Sequence, residues 1–381
     1  MARVHASREF ELVLAASSFQ SSTERSVQIR ALLEQQLDWS KLISLAEHHC
    51  MIPLTYHNLA AHSAVIPANA FQALGGKFES STRQALWLTN QLTRVLDVLQ
   101  ARGIQALPYK GPVLSKTLYN DIALRQFSDL DILLRPSDVA RAKFALAEIG
   151  FKSSLHLTQP AERHYLAEGY ECSFDGFGQK NVLELQWRIS PRFYSVEFDV
   201  DSFLERAPVI QFEERLIHTF STEDLLLVLC VHAAKHLWGR LSWICDIADL
   251  AASTPIHWEQ VKRDANRLGI NRIVGISFFL AQSLLGTAIP HAFETLTSDQ
   301  KVQHLGSQIL SDVVESADCD TEAIGYFRRT ARLRERTSDK VRFFTRLAFT
   351  PSVSEWSVVR LPAPLFPLYR VIRLFRLLRK L

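Results

Sequence analysis

Asp129 and Asp131 stand one residue apart at the head of an apolar run in which Leu130, Ile132 and Leu134 alternate with them. On a strand, successive side chains point to opposite faces, so the two carboxylates share a face while the aliphatic residues turn into a core. A second stretch, residues 182–189, alternates as cleanly. Leu183, Leu185, Trp187 and Ile189 fall on one face, and Glu184, Gln186 and Arg188 on the other. With the two strands as neighbours, Glu184 becomes the third acid of one cluster. Clustered carboxylates raise one another's pKa unless a cation neutralises them. Magnesium suits such a set, because it binds a few carboxylates and completes its shell with phosphate and water oxygens. Two such ions stabilise both the attacking oxygen and the leaving pyrophosphate of an in-line displacement at phosphorus.

That chemistry needs a place for the phosphates, and Lys110-Gly111-Pro112 offers one. Gly111 lets backbone approach an anion, Pro112 is preorganised for a first helical turn, and the helix N-terminus presents free amides with a favourable dipole. Lys110 adds a point charge and Arg125 a forked contact. A second acid pair, Asp318-Cys319-Asp320, lies in an acidic stretch without strand character and is read as fortuitous.

The elements that hold these residues predict an α+β fold. A composition of 47% hydrophobic and 22% charged residues over 381 positions fits a folded chain of two or three domains. Residues 1–100 read as helical, with Leu32, Leu33, Leu37, Leu42, Leu45 and Ala46 at three- and four-residue steps and a second pattern from Leu86 through Leu92, Val95, Leu96 and Leu99. Adjacent His48 and His49 diverge on a helix and do not clamp one metal; one packed and one solvated histidine is expected. Residues 101–215 read as a small mixed α/β module. Strands are expected at 104–109, 129–134, 151–157, 170–174 and 182–189, with helices at 113–119 and from Pro136-Ser137-Asp138 to Gly150, Ser137 serving as N-cap. Residues 216–381 read as helical again and end in a basic amphipathic tail.

In this order the motifs resemble the bacterial uncharacterised nucleotidyltransferase family of the polymerase-β nucleotidyltransferase superfamily. The resemblance rests on Lys110-Gly111-Pro112, Leu118-Tyr119, Arg125, Asp129-Leu130-Asp131-Ile132-Leu133, Gly150-Phe151 and Leu183-Glu184-Leu185-Gln186-Trp187-Arg188. It extends to residues 49–59, 232–249 and 351–373. It implies a small mixed nucleotidyltransferase sheet, magnesium held by Asp129, Asp131 and Glu184, and a nucleoside triphosphate donor such as ATP held by Lys110, Gly111 and Arg125. The superfamily's usual Gly-Ser turn is Gly111-Pro112 here, which leaves Lys110 or Ser115 to replace the missing hydroxyl contact. The third acid is Glu184 where aspartate is common.

Residues 231–249 are rich in functional side chains. His232 and His236 are four apart, a metal-ligand spacing for which Cys245 or Asp246 is the available third partner, although buried histidines paired to acids are commoner. The resemblance favours a helical pair lining the cleft, with Lys235, His236 and Arg240 facing the triphosphate or acceptor and Trp238 or Trp243 stacking on a base. The competing reading places both tryptophans in the core and pairs Asp246 with Arg240 or His232.

The expected function is magnesium-dependent transfer of a nucleoside monophosphate to an unidentified acceptor: a small molecule, glycan, protein or tRNA. The alternatives are a catalytically inactive nucleotide-binding protein of the same fold and a toxin-like modifier of protein or tRNA. A net charge of +3 does not by itself point to nucleic acid, although residues 328–346 are dense in arginine. Five scattered cysteines suit reduced thiols, and the short apolar run at residues 12–16, preceded by Glu11, argues against a secretory signal; a cytoplasmic protein is expected. The longest apolar stretch, residues 273–289, is interrupted by Ser277, Gln282 and Ser283 and reads as a buried helix. On a wheel, residues 368–381 gather Arg373, Arg376, Arg379 and Lys380 on one side and Val371, Leu374, Phe375, Leu377, Leu378 and Leu381 on the other. Such a helix either lies peripherally on an anionic membrane or docks its apolar side on the protein.

Overall fold

The computed structural model describes residues 6–18, 23–253, 255–317, 323–351, 355, 359 and 361–378. The helices before the sheet are α1 (Arg8–Ala15), α2 (Thr23–Leu33), α3 (Trp39–His48), α4 (Ile52–Ala60) and α5 (Ala68–Ala101). The central part runs β1 (Leu107–Pro108), α6 (Gly111–Tyr119), β2 (Leu130–Leu133), α7 (Val139–Glu148), β3 (Lys152–Ser153), α8 (Gln159–Glu168), β4 (Glu171–Gly176), β5 (Gln179–Gln186), α9 (Val200–Glu205), β6 (Val209–Phe212) and β7 (Arg215–His218). Helices follow as α10 (Thr222–Lys235), α11 (Leu241–Ser253), α12 (Trp258–Leu268), α13 (Asn271–Leu285), α14 (Glu294–Thr297), α15 (Gln300–Val314), α16 (Ile324–Arg332) and α17 (Thr337–Phe349), with a last helix at Leu368–Leu378. The architecture is α+β, a mixed sheet between helical regions, as the periodicities predict.

Five strands form the sheet in the order β1-β2-β5-β4-β3, and β6 pairs with β7 in a separate hairpin. The β2–β5 pair is parallel and the others are antiparallel. Alternation sorts its side chains. Leu130, Ile132, Leu134, Leu183, Leu185, Cys172 and Phe174 enter one core with Leu88, Leu92, Val95, Leu96 and Leu99 of α5. The opposite face turns Leu107 and Leu133 toward a second core, built from α10, α11 and α13 together with the early helices. Asp131 and Glu184 share this second face, between the two cores.

Local chemistry explains the helices nearest the site. Pro112 sits in the first turn of α6, and Asn120, at φ 52°, ends it in the left-handed conformation that asparagine tolerates. Ser221 caps α10 by accepting from the Asp224 amide, with Glu223 and Asp224 in the dipole-favoured first turn. Every residue from Leu225 to Val231 is buried, so this middle stretch of α10 is core on all sides.

Several elements differ from expectation. The helical pattern across residues 32–46 is broken into α2 and α3, because Asp38 accepts from the Lys41 amide as an N-cap. Leu86 is 56% exposed while the rest of its pattern is buried. Residues 136–138 form a 3-10 turn capped by Arg135, so α7 begins after Asp138 and Ser137 is no cap. The strand expected over residues 151–157 shrinks to β3, and that over 182–189 ends at Gln186. Ile189 therefore leaves its predicted face and joins the other core. His49 is fully buried, with Nε2 2.9 Å from the Ser316 hydroxyl and Nδ1 accepting from the Leu241 amide, while His48 is half-buried.

The terminal helix corrects the reading in which the apolar side of the tail docks on the protein. Its docked side is Phe366 and Tyr369 with Arg373, whose Nη1 lies 3.4 Å from Glu355, while Arg376 donates to the same carboxylate at 2.9 Å. Val371, Leu374 and Phe375 face outward instead. Asp318-Cys319-Asp320, Arg379, Lys380 and Leu381 lie outside the described residues.

Candidate functional site

Parallel pairing of β2 and β5 sets Asp131 directly beside Glu184. Antiparallel pairing of β4 and β5 then sets Glu171 opposite Gln186, one position along the same face. Asp129 precedes β2 and is half-buried, whereas Asp131 is 4% exposed. With Asp129, Asp131, Glu184 and Glu171, four acids meet at one end of a cleft of about 670 Å³.

Gln186 organises the acids. The Tyr109 hydroxyl donates to its Oε1 at 2.6 Å, which turns its amide nitrogen onto Asp131 Oδ1 at 2.9 Å and Glu184 Oε2 at 3.2 Å. Lys110 Nζ donates to the same Asp131 oxygen at 2.9 Å. Gly111, at φ +53°, brings the turn against β2, and a Cβ there would stand 3.2 Å from the Asp129 carbonyl oxygen. A side chain at this position combines backbone strain with a close contact, which explains glycine.

The electrostatics are those of an under-neutralised anionic pocket. Burial, then Glu171 and Asp131, push Glu184 up to about 8. Burial, then Asp131, raise Asp129 to about 6. Burial also raises Glu171, against the attraction of Lys235. For Lys110, burial opposes the charge, yet Asp131 and Asp129 hold its pKa above the ordinary lysine value.

The opposite wall comes from α10, α11 and the turn between them, where Leu237 and Trp238 both take positive φ, 50° and 51°. Non-glycine residues rarely adopt this conformation. Here it is enforced by Trp238, which is fully buried and donates to the Ser277 hydroxyl at 3.0 Å. The turn releases Arg240 and Trp243 into the cleft. The Arg240 guanidinium lies over the Trp243 ring, 5.4 Å from its centroid, and donates to Cys50 Sγ at 3.3 Å. The His232 and His236 rings are 5.0 Å apart and both touch Trp243. Burial first, then Lys235 and Lys110, depress His236 to about 3, and burial, then Lys110, also hold His232 well below the ordinary histidine value, so both are neutral. Lys235 Nζ lies 5.5 Å from the Tyr170 ring centroid.

Lys110, Gly111, Arg125, Asp129, Asp131, Glu184, Lys235, His236 and Arg240 thus line one cleft. Ser115 does not: it is fully buried and donates to the Asp121 carbonyl at 2.8 Å, so it cannot replace the missing turn hydroxyl. Arg125 lines the cleft with its fork already engaged. Its Nε and Nη2 each donate to Asp246 at 2.9 Å, so Asp246 pairs with neither Arg240 nor His232. The two tryptophans split, Trp238 to the core and Trp243 to the cleft. Tyr170 and Glu171 were not singled out by sequence reasoning. The alternation of Glu171 and Ser173 against Cys172 and Phe174 was there to read, but its face depends on register.

The donor set suits magnesium: carboxylate oxygens alone, three acids with raised pKa values, and the Glu171 Oε2 buried without a hydrogen-bond partner. Among the described residues no three His, Cys, Asp or Glu side chains already converge on one ion. A bound ion would therefore take the rest of its shell from phosphate and water, as magnesium commonly does.

The sheet thus sets acids and a lysine-glycine turn in one cleft, facing the α10–α11 wall. The family model described as uncharacterised nucleotidyltransferase matches residues 35–286, a span that holds every cleft residue, and the chain belongs to that family. No curated protein and no solved structure matches the chain.

The raised acids give a pH signature in the metal-free protein. Glu184 rises from 4.5 to about 8 on folding, so between those values the folded chain binds more protons than the unfolded one. Stability from this group is therefore lost as pH rises through the window. Thermal denaturation should show magnesium with ATP raising Tm more at pH 8 than at pH 6, because below about pH 8 the ion must displace a proton. An equal shift at both values would contradict this.

Proposed function

We propose that the protein transfers a nucleoside monophosphate from a nucleoside triphosphate to an acceptor hydroxyl or phosphate, with magnesium held by Asp129, Asp131 and Glu184. The observation that carries the reading is the β2–β5 register, which brings Asp131 and Glu184 together beside Lys110 and Gly111. Magnesium, when bound, would neutralise the acids and polarise the phosphates. Asp129 and Asp131 present oxygen donors from the strand, and Glu171 adds a further carboxylate behind Glu184. Lys110 and the first amides of α6 are placed to bind phosphate. Lys235 and Arg240 supply positive charge on the facing wall, neutral His236 is a hydrogen-bonding group, and Trp243 is the one cleft tryptophan available for stacking on a base. The acceptor is a small molecule, glycan, protein or tRNA.

The test is calorimetric titration of ATP into the full-length protein with magnesium and with chelator, joined to an assay of pyrophosphate release in the presence of candidate acceptors. Magnesium-dependent binding and acceptor-stimulated release are expected. A second reading, a nucleotide-binding protein without turnover, rests on one observation: Lys110 and Gln186 both already contact Asp131 Oδ1. It predicts triphosphate binding that ignores chelator and no pyrophosphate with any acceptor.

A further inference from the structure

We propose that the terminal helix, with α17, docks the protein on an anionic membrane surface. Leu365, Leu368, Val371 and Phe375 recur at three- and four-residue steps and are 44%, 44%, 46% and 65% exposed. They form one apolar stripe. The opposite side is fixed: Phe366 and Tyr369 are buried in the same core as Ile132 and Trp187, and Arg373 and Arg376 meet Glu355. The helix is thus held through Tyr369, Arg373 and Arg376, by the sheet's own core and Glu355, and the apolar stripe is left outward. Phe344 of α17, the helix packed against it, is also 52% exposed. Large apolar side chains exposed in this way along one face of a docked helix mark an interaction site.

Charge identifies the occupant. Residues 323–381 carry 12 arginines and 2 lysines against 3 acids, while the rest of the chain has more acids than bases. Two of those acids, Asp339 and Glu355, are buried. An apolar stripe within a strongly basic region matches a bilayer of anionic lipid, where aliphatic and aromatic side chains enter the acyl boundary and arginines reach phosphates. Nucleic acid would satisfy the charge and leave the stripe uncovered, and a second copy would set like charge against like. No helix among the described residues is long and apolar enough to cross a membrane, so the contact is with the surface. The inference stands apart from the transferase reading, since it uses none of the cleft.

Full-length protein should sediment with vesicles containing about one-third phosphatidylserine and stay in solution with phosphatidylcholine alone, with binding that weakens as salt screens the charges. The variant Leu368→Ser/Phe375→Ser should bind on the order of tenfold or more weakly, having lost two large apolar insertions. Its Tm should be unchanged, because both side chains are exposed. Three outcomes overturn the proposal: wild-type protein left in the supernatant with anionic vesicles, a variant that sediments as wild type does, or a concentration-dependent dimer or an RNA complex formed without vesicle binding.

Discussion

Asp246→Ala is expected to lower the free energy of unfolding by about 3–5 kcal/mol, the usual result of stranding one member of a buried ion pair. Arg125 and Asp246 are 8% and 2% exposed and meet through two parallel hydrogen bonds of 2.9 Å. A guanidinium cannot shed its charge, and Asp246 raises this one's pKa further against the opposing effect of burial. Removing the carboxylate therefore leaves a largely buried cation without its counter-ion. The double variant Arg125→Met/Asp246→Leu should recover most of the loss, since it leaves no charge behind. Urea denaturation followed by tryptophan fluorescence separates the two, and equal midpoints for single and double variants would contradict the account. The pair ties the segment before β2 to α11, so it also braces the two walls of the cleft. With Nε–H and one Nη2 hydrogen committed to Asp246, the edge of the guanidinium that would grip a phosphate in a forked contact is already engaged.

Asp131→Asn is the second large effect, this time on binding. Asp131 is the most buried of the cleft acids and the one that touches both Lys110 and Gln186. An amide of the same size leaves the packing alone, but removes the charge that an ion would meet. Magnesium-dependent triphosphate binding should weaken by at least about 10–100-fold, a range over which even residues behind a metal ligand act. A second readout separates electrostatics from misfolding. Asp131 helps push Glu184 up to about 8, so in the variant Glu184 should titrate lower and the metal-free Tm should depend less on pH. Ser115→Ala should leave the triphosphate affinity where it was, because that hydroxyl serves the Asp121 carbonyl and not the cleft.

What could be read from the sequence follows the range of the forces involved. The face shared by Asp129, Asp131 and Glu184 was legible because strand alternation is a local property, and Leu130, Ile132, Leu183 and Leu185 mark the opposite face without ambiguity. The order of the strands was not, since parallel pairing of β2 with β5 depends on packing between distant segments. Glu171 was hidden for the same reason: its alternation is plain, and its meaning depends on facing Gln186. Arg125 could be read as a cation, but its partner lies 121 residues away. The β6–β7 hairpin escaped notice because its buried stripe is short, Phe212 and Ile217 with half-buried Ile210, and is interleaved with exposed Val209 and Leu216. The terminal helix shows the limit most clearly. Its two-sided pattern was visible, yet which side docks was decided by one buried acid, Glu355, that claims Arg373 and Arg376.

The proposed function requires the acids and the Lys110–Gly111 turn to form one magnesium-dependent triphosphate site. Calorimetry of ATP binding to the full-length protein, compared with Asp129→Asn/Asp131→Asn in magnesium and in chelator, tests it most directly. The account predicts that wild type binds tightly only with magnesium, and that the double variant binds weakly and equally under both conditions. Equal wild-type affinity with and without magnesium, matched by the double variant, would contradict it.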